Sequence, residues 1–84
     1  MNQPEHSPEN NAPGMLDLRG LKCPLPALLA RRALARARPG ETVIVITDDP
    51  MARVDVPHMC HQEGYGVIAV EAEDGSTRFS LSRR

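Results

Sequence analysis

Residues 42–47 read Thr-Val-Ile-Val-Ile-Thr, and every one of them is branched at Cβ. Such side chains lose rotamer freedom in a helix and pack well on a pleated surface, so this run reads as a strand. It is apolar on both faces. In a two-layer domain one of those faces would lie open, asking for an interface or an extra cover. Pro39-Gly40 stands before the run and Asp48-Asp49-Pro50 after it, which bounds the strand at both ends.

The rest of the chain arranges itself around that strand. Residues 15–18 (MLDL) alternate apolar and polar and read as a short first strand, broken by Gly20. Cys23-Pro24-Leu25-Pro26 then opens a helix, because proline is tolerated in a first turn whose N–H groups have no helical partner. The helix is expected to run through Ala27 to about Arg38 and to stop at Pro39-Gly40. At the helical period, Pro26, Leu29, Ala30, Ala33, Leu34 and Ala37 form a core stripe. Leu25, Leu28, Arg32 and Arg36 fall on a different side, which should be exposed. Beyond the β-branched run, Asp49 is expected to cap a second helical region with Pro50 at its first position. Pro57 interrupts that region, which predicts a turn and then a main helix from near Asp55 to about Glu63, closed by Gly64. Residues 66–73 and 77–82 are two further strands, joined through Asp74-Gly75, a strong hairpin signal. The order is βαβαββ. The expected fold is α+β: a two-layer α/β sandwich with two helices packed on one face of a mixed four-stranded sheet.

With 84 residues the chain is at most one domain, with little room for an enclosed active site, so its chemistry should sit at the surface. Residues 1–14 hold Pro4, Pro8 and Pro13, several asparagines and no hydrophobic run. They bury too little to offset the entropy of ordering and are expected to be a disordered tail, leaving 15–84 as the domain. A formal net charge of −1 argues against tight, unaided binding to nucleic acid, which needs a basic footprint. No run reaches membrane-spanning length, and the N-terminal residues lack the apolar core of a secretory signal. Two cysteines are fewer than a small secreted domain uses as staples. The expected setting is a reducing cytoplasm, away from any membrane, with both thiols free.

Cys23 is the sharpest chemical feature. A helix N-terminus carries partial positive charge and unpaired N–H donors, both of which favour a thiolate. Arg19 and Lys22 add positive charge, so Cys23 is expected to have a lowered pKa and to be nucleophilic. Pro24 and Pro26 fix the backbone that presents it. The bland alternative is a buried, inert cysteine at a helix cap. Cys60 lies between His58 and His61, but the two histidines share a helix face from which Cys60 points away, so no metal site is expected. Core packing is the expected role of Cys60, with a resolving disulfide as the alternative. Asp48 and Asp49 read as turn and cap residues rather than as an acid–base pair. Leu25 and Leu28 beside Arg32 and Arg36 combine apolar anchors with a rim of arginine, the make-up of a transient protein interface, against the plainer reading of a solvated face.

Leu16-Asp17-x-x-Gly20-Leu21-x-Cys23-Pro24-x-Pro26 resembles the signature of the TusA (SirA-like) sulfur-carrier family. The resemblance continues through Pro39-Gly40-Glu41, Asp48-Asp49-Pro50, Asp55-Val56-Pro57 and Cys60, and so covers nearly everything except the tail. It implies a βαβαββ sandwich, in agreement with the reading above. It also implies that the family's cysteine, matched by Cys23, accepts sulfane sulfur as a persulfide from a cysteine desulfurase or other donor and passes it to an acceptor protein. Members serve tRNA thiolation, molybdenum cofactor assembly or related sulfur trafficking. No cofactor is needed, since a persulfide is a covalent intermediate of nucleophilic catalysis shared between two proteins. Two alternatives stand beside this one. A non-catalytic regulatory or RNA-interacting module is opposed by the weak charge and by scarce aromatics, Tyr65 and Phe79 alone. A thiol redox protein is opposed by the lack of a Cys-x-x-Cys pair.

Overall fold

The computed structural model describes residues 14–84. The expected disordered tail falls outside that range except at Gly14, whose carbonyl accepts a 2.6 Å hydrogen bond from the Ile44 N–H. Strands and helices follow in the expected order: β1 (Met15–Asp17), α1 (Leu25–Arg36), β2 (Thr42–Thr47), α2 (Ala52–Glu63), β3 (Gly66–Glu73) and β4 (Ser76–Ser82). They build a mixed sheet in the order β1-β2-β4-β3. β1 runs parallel to β2, with α1 as their crossover, and β4 is antiparallel to both β2 and β3. The hairpin turns on Asp74 and Gly75, with φ of 31° and 79°. Two successive positive φ values twist the turn in the sense the flanking strands need.

Both helices lie on one face of the sheet, and the residues of β2 and β4 explain why. β2 turns Val43, Val45 and Thr47 inward, and β4 sets Leu81, Phe79 and Thr77 opposite them. α1 adds Pro26, Ala27, Ala30 and Leu34, and α2 adds Ala52, Val56, Met59 and Cys60. Phe79 is fully buried at the centre; burying such a side chain stabilises by roughly 2–3 kcal/mol. The core stripe of α1 is rotated from the expected one. Ala27 is buried, while Leu29, Ala33 and Ala37 are only partly so, because α1 packs against α2 as well as against the sheet.

Two helix boundaries differ from expectation. α1 ends at Arg36, two residues short of Arg38, where a distant side chain closes it. Arg83, just past β4, donates from Nη1 to the carbonyls of Leu34, Ala35 and Ala37 at 3.0, 2.9 and 3.1 Å. The last carbonyls of a helix lack i+4 partners; here Leu34 also accepts the Ala37 N–H at 3.1 Å, and Arg83 serves all three. α2 begins at Ala52, not near Asp55, and runs unbroken through Pro57. Its first turn is already bonded: Ala52 and Val54 N–H reach back to the carbonyls of Asp49 and Met51 at 3.0 Å each, and Asp55 N–H to Met51 at 2.9 Å. Pro57 therefore forfeits a single bond, to the Arg53 carbonyl. Continuous helix keeps Ala52 and Val56 in the core beside Met59 and Cys60, which offsets that loss. Gly64 ends the helix in the left-handed region, φ 82°, where only glycine is unstrained.

The other face of β2 carries Ile44 and Ile46, opposite Ser80 and Arg78; both isoleucines are half-buried. The β3 edge exposes Val67, Ile68 and Val70 around a bulge between Val67 and Ala69. Among the described residues no helix is long and apolar enough to cross a membrane.

Candidate functional site

Cys23 stands where the N-termini of both helices converge. α1 starts two residues after it, and the segment leading into α2 holds it in place. Gly20 N–H donates to Asp48 Oδ1 at 2.9 Å, and Cys23 N–H donates to Asp49 Oδ2. The other Asp49 oxygen accepts the Met51 N–H at 3.2 Å. A single carboxylate thus ties the cysteine loop to the first turn of α2. Asp48 and Asp49 bond backbone N–H groups, but Asp49 does not cap α2, the role expected of it. The N-cap is Met51, without a side-chain cap bond, and Pro50 stands before the helix, because the two carboxylates are turned to the loop carrying Cys23. Pro24 lies just outside α1, after a cis Cys23–Pro24 bond, and Pro26 sits in the first turn. The Leu25 N–H is taken by the Lys22 carbonyl at 2.9 Å and the Leu28 N–H by the Pro24 carbonyl at 3.1 Å.

The electrostatics of Cys23 reverse the expectation. The side chain is exposed, as expected of a working thiol. Its Sγ–H donates to Asp55 Oδ2 at 2.6 Å, however, and this hydrogen bond to a carboxylate raises the thiol pKa above its ordinary value. Desolvation and the charges of Asp55 and Asp49 push the same way. The expected positive charge is weak or engaged elsewhere. Arg19 closes on Asp17, Nε to Oδ1 at 2.8 Å and Nη2 to Oδ2 at 2.5 Å, which raises the arginine and lowers the carboxyl. The helix ends contribute only about 0.3–1 kcal/mol at exposed positions. A full carboxylate charge in direct contact outweighs that, because ionising the thiol would set two anions together.

The remaining residues fall into two groups. Leu25 and Leu28 are 44% and 47% exposed, and Arg32 and Arg36 are exposed beside them on α1. Leu28, Arg31, Arg32 and Ala35 line a shallow groove of about 390 Å³ with Glu63 and Tyr65; Arg31 pairs with Glu63 across it at 3.7 Å. Met51, just before α2, and Val54 in its first turn are exposed, and the sequence did not single them out. Cys60 is fully buried, and burial pushes its thiol up to about 11. His58 and His61 are exposed, on a different side of α2 from Cys60. The residue that sequence reasoning missed is Asp55. It stands 32 positions from Cys23, and only the packing of α2 beside α1 brings the two together.

The fold recurs in a solved structure. The chain is similar to a SirA-like protein from Desulfitobacterium hafniense, with 28% sequence identity and a TM-score of 0.71 over 81% of this chain and 93% of that one. A family model described as sulfurtransferase TusA matches residues 15–83, from the first residue of β1 to the arginine that closes α1. The chain therefore belongs to the TusA sulfurtransferase family, and its role is that of a sulfur carrier.

Proposed function

We propose that this chain carries sulfane sulfur as a persulfide on Cys23. A cysteine desulfurase or another persulfide donor supplies the sulfur, and a downstream protein accepts it. The observation that carries this reading is the contrast in access: Cys23 is exposed at a point fixed by Asp49, whereas Cys60 is sealed in the core. A carrier must present its sulfur to two partners in turn, which a surface thiol on a rigid loop permits and a buried one forbids. Pro24 and Pro26 hold the backbone on either side of Leu25, and Arg19 and Lys22 belong to the same loop. Leu25, Leu28, Arg32 and Arg36 form the docking surface, since a partner that reaches Cys23 must cover them. The setting is a reducing cytoplasm, consistent with two free thiols. The destinations open to such a carrier are tRNA thiolation, molybdenum cofactor assembly and related sulfur relays.

The test is intact-mass analysis after incubation with a cysteine desulfurase and cysteine. One added sulfur, lost on treatment with a reductant and missing in Cys23→Ala, is the expected result. Sulfur appearing on Cys60, or on neither residue, overturns it.

A further inference from the structure

The contact between Cys23 and Asp55 is held from both ends. Asp55 lies in the first turn of α2, on a helix anchored in the core by Ala52 and Val56. Cys23 is anchored by its own N–H on Asp49. Two carboxylates thus face the sulfur, Asp55 from α2 and Asp49 from the segment before it. Of the cations in its own loop, Arg19 is held by Asp17 and Lys22 directly precedes it. His58 lies one turn beyond Asp55 and is exposed; the first charged residues of α1 are Arg31 and Arg32.

Sulfur transfer requires the attacking cysteine to lose its proton, because the thiolate is the nucleophile. A thiol whose ionisation is opposed by two neighbouring carboxylates rests protonated, so the proton must leave as the new bond forms. In return its sulfur is intrinsically more nucleophilic than that of an acidic thiol. A general base must be within hydrogen-bond reach of the proton it takes, and Asp55 Oδ2 is already bonded to it.

We propose, resting on the persulfide reading above, that Asp55 is a catalytic residue: it keeps the idle Cys23 thiol protonated and accepts its proton when sulfur is transferred. In loading, the Cys23 proton passes to Asp55 Oδ2 as Cys23 Sγ bonds to the outer sulfur of the donor persulfide. The donor S–S bond breaks, its electron pair stays on the donor sulfur, and the resulting thiolate takes the proton back from Asp55. A neutral sulfur atom moves and nothing is oxidised or reduced overall. In delivery the acceptor thiol gives its proton to Asp55 and attacks the outer sulfur, and Asp55 returns a proton to Cys23 Sγ as it leaves. The same carboxylate guards the idle thiol against stray electrophiles, because it keeps the thiolate fraction low.

The test separates these two effects in Asp55→Asn, with Asp55→Glu as the carboxylate-retaining partner. Alkylation by iodoacetamide across pH reads the thiolate, and loading from cysteine persulfide, followed by intact mass, reads the transfer. At neutral pH Asp55→Asn should alkylate several-fold faster than the parent chain yet load about tenfold more slowly, at or below the low end of general-base contributions. Its loading should climb with pH, and Asp55→Glu should recover most of the parent rate. If Asp55→Asn loads faster than the parent chain at neutral pH, by the same factor as it alkylates, the proposal is overturned, since Asp55 would then be only an electrostatic brake. Unchanged alkylation in Asp55→Asn would overturn it too, by removing the hydrogen bond from solution. If neither the parent chain nor any variant loads while the alkylation difference persists, the persulfide reading itself fails, and the proton-transfer role falls with it.

Discussion

Cys23 and Cys60 differ in nearly everything except their chemistry. Both are free thiols, both belong to the helical layer, and both have pKa values above the ordinary one. The causes are opposite in kind. Cys60 is raised to about 11 by desolvation, a passive effect of burial. Cys23 is exposed and is raised first by a hydrogen bond to Asp55, a placed partner. The difference teaches that a helix N-terminus does not by itself make a reactive cysteine. Two helices start near Cys23, and two carboxylates still decide its protonation. Cys60 is unreachable, whereas Cys23 is reachable and bonded to Asp55.

The comparison breaks most cleanly at sulfur loading. Cys23→Ala should abolish it, and Cys60→Ala should leave it within twofold, as read by intact mass with a desulfurase and cysteine. Next in size is the alkylation contrast in single-cysteine variants. At pH 7 a thiol with a pKa of about 11 is ionised to only ~1 part in 10⁴, and Cys60 is sealed besides. Cys23 should react with iodoacetamide at least about a hundredfold faster. Comparable rates would mean that α2 opens readily, and that the protection of Cys60 is not a property of the native state.

Much of this was legible in the chain itself. The β-branched run at 42–47, the Asp74-Gly75 turn and the Pro39-Gly40 stop each act locally, so element order and fold class could be read from neighbours in sequence. The exposed face of α1 was legible for the same reason, since helical periodicity places Leu25 and Leu28 opposite the core. Illegible were the contacts that cross the fold. Arg83 caps a helix 46 or more positions away, Asp49 reaches the backbone of Cys23, and Asp55 reaches its sulfur. Charge near Cys23 was therefore misjudged: Arg19 and Lys22 were visible as neighbours, and the two aspartates were not. Pro57 misled for a related reason. Proline's cost in a helix is local, and the core contacts that offset it are not.

Burial of Cys60 carries a pH signature that Cys23 does not share in size. A thiol whose folded pKa lies above its unfolded value costs no stability while both states keep it protonated. As pH rises past about 9 the unfolded chain ionises it and the folded chain does not, so stability falls until pH passes about 11. At about 1.36 kcal/mol per unit over roughly two units, the loss approaches ~3 kcal/mol. Urea titrations of the parent chain and Cys60→Ala should show it. At pH 8 the variant should be the less stable by about 1 kcal/mol, from the cavity it leaves, and by pH 11 that gap should close or invert. A gap independent of pH would mean that water reaches Cys60.

The smallest expected effect concerns how a partner reaches Cys23 rather than what the thiol does. Arg32 and Arg36 are exposed on the side of α1 that also shows Leu25 and Leu28. A donor whose sulfur must come within bonding distance of Cys23 covers this ground, and an acidic donor surface would be steered to it. Arg32→Glu with Arg36→Glu reverses that field at little structural cost. The exception is Arg36, the one basic residue in the last turn of α1, where an acid opposes the helix dipole by up to about 1 kcal/mol. The double variant should load from a cysteine desulfurase about three- to tenfold more slowly at low salt, with the deficit shrinking as salt screens the charges. Loading from cysteine persulfide, which needs no docking, should be unchanged. That control separates a lost encounter from a disturbed thiol. Equal desulfurase rates at low salt would make this face merely solvated and move the approach to α2, where Met51 and Val54 offer apolar surface at the start of the helix that carries Asp55.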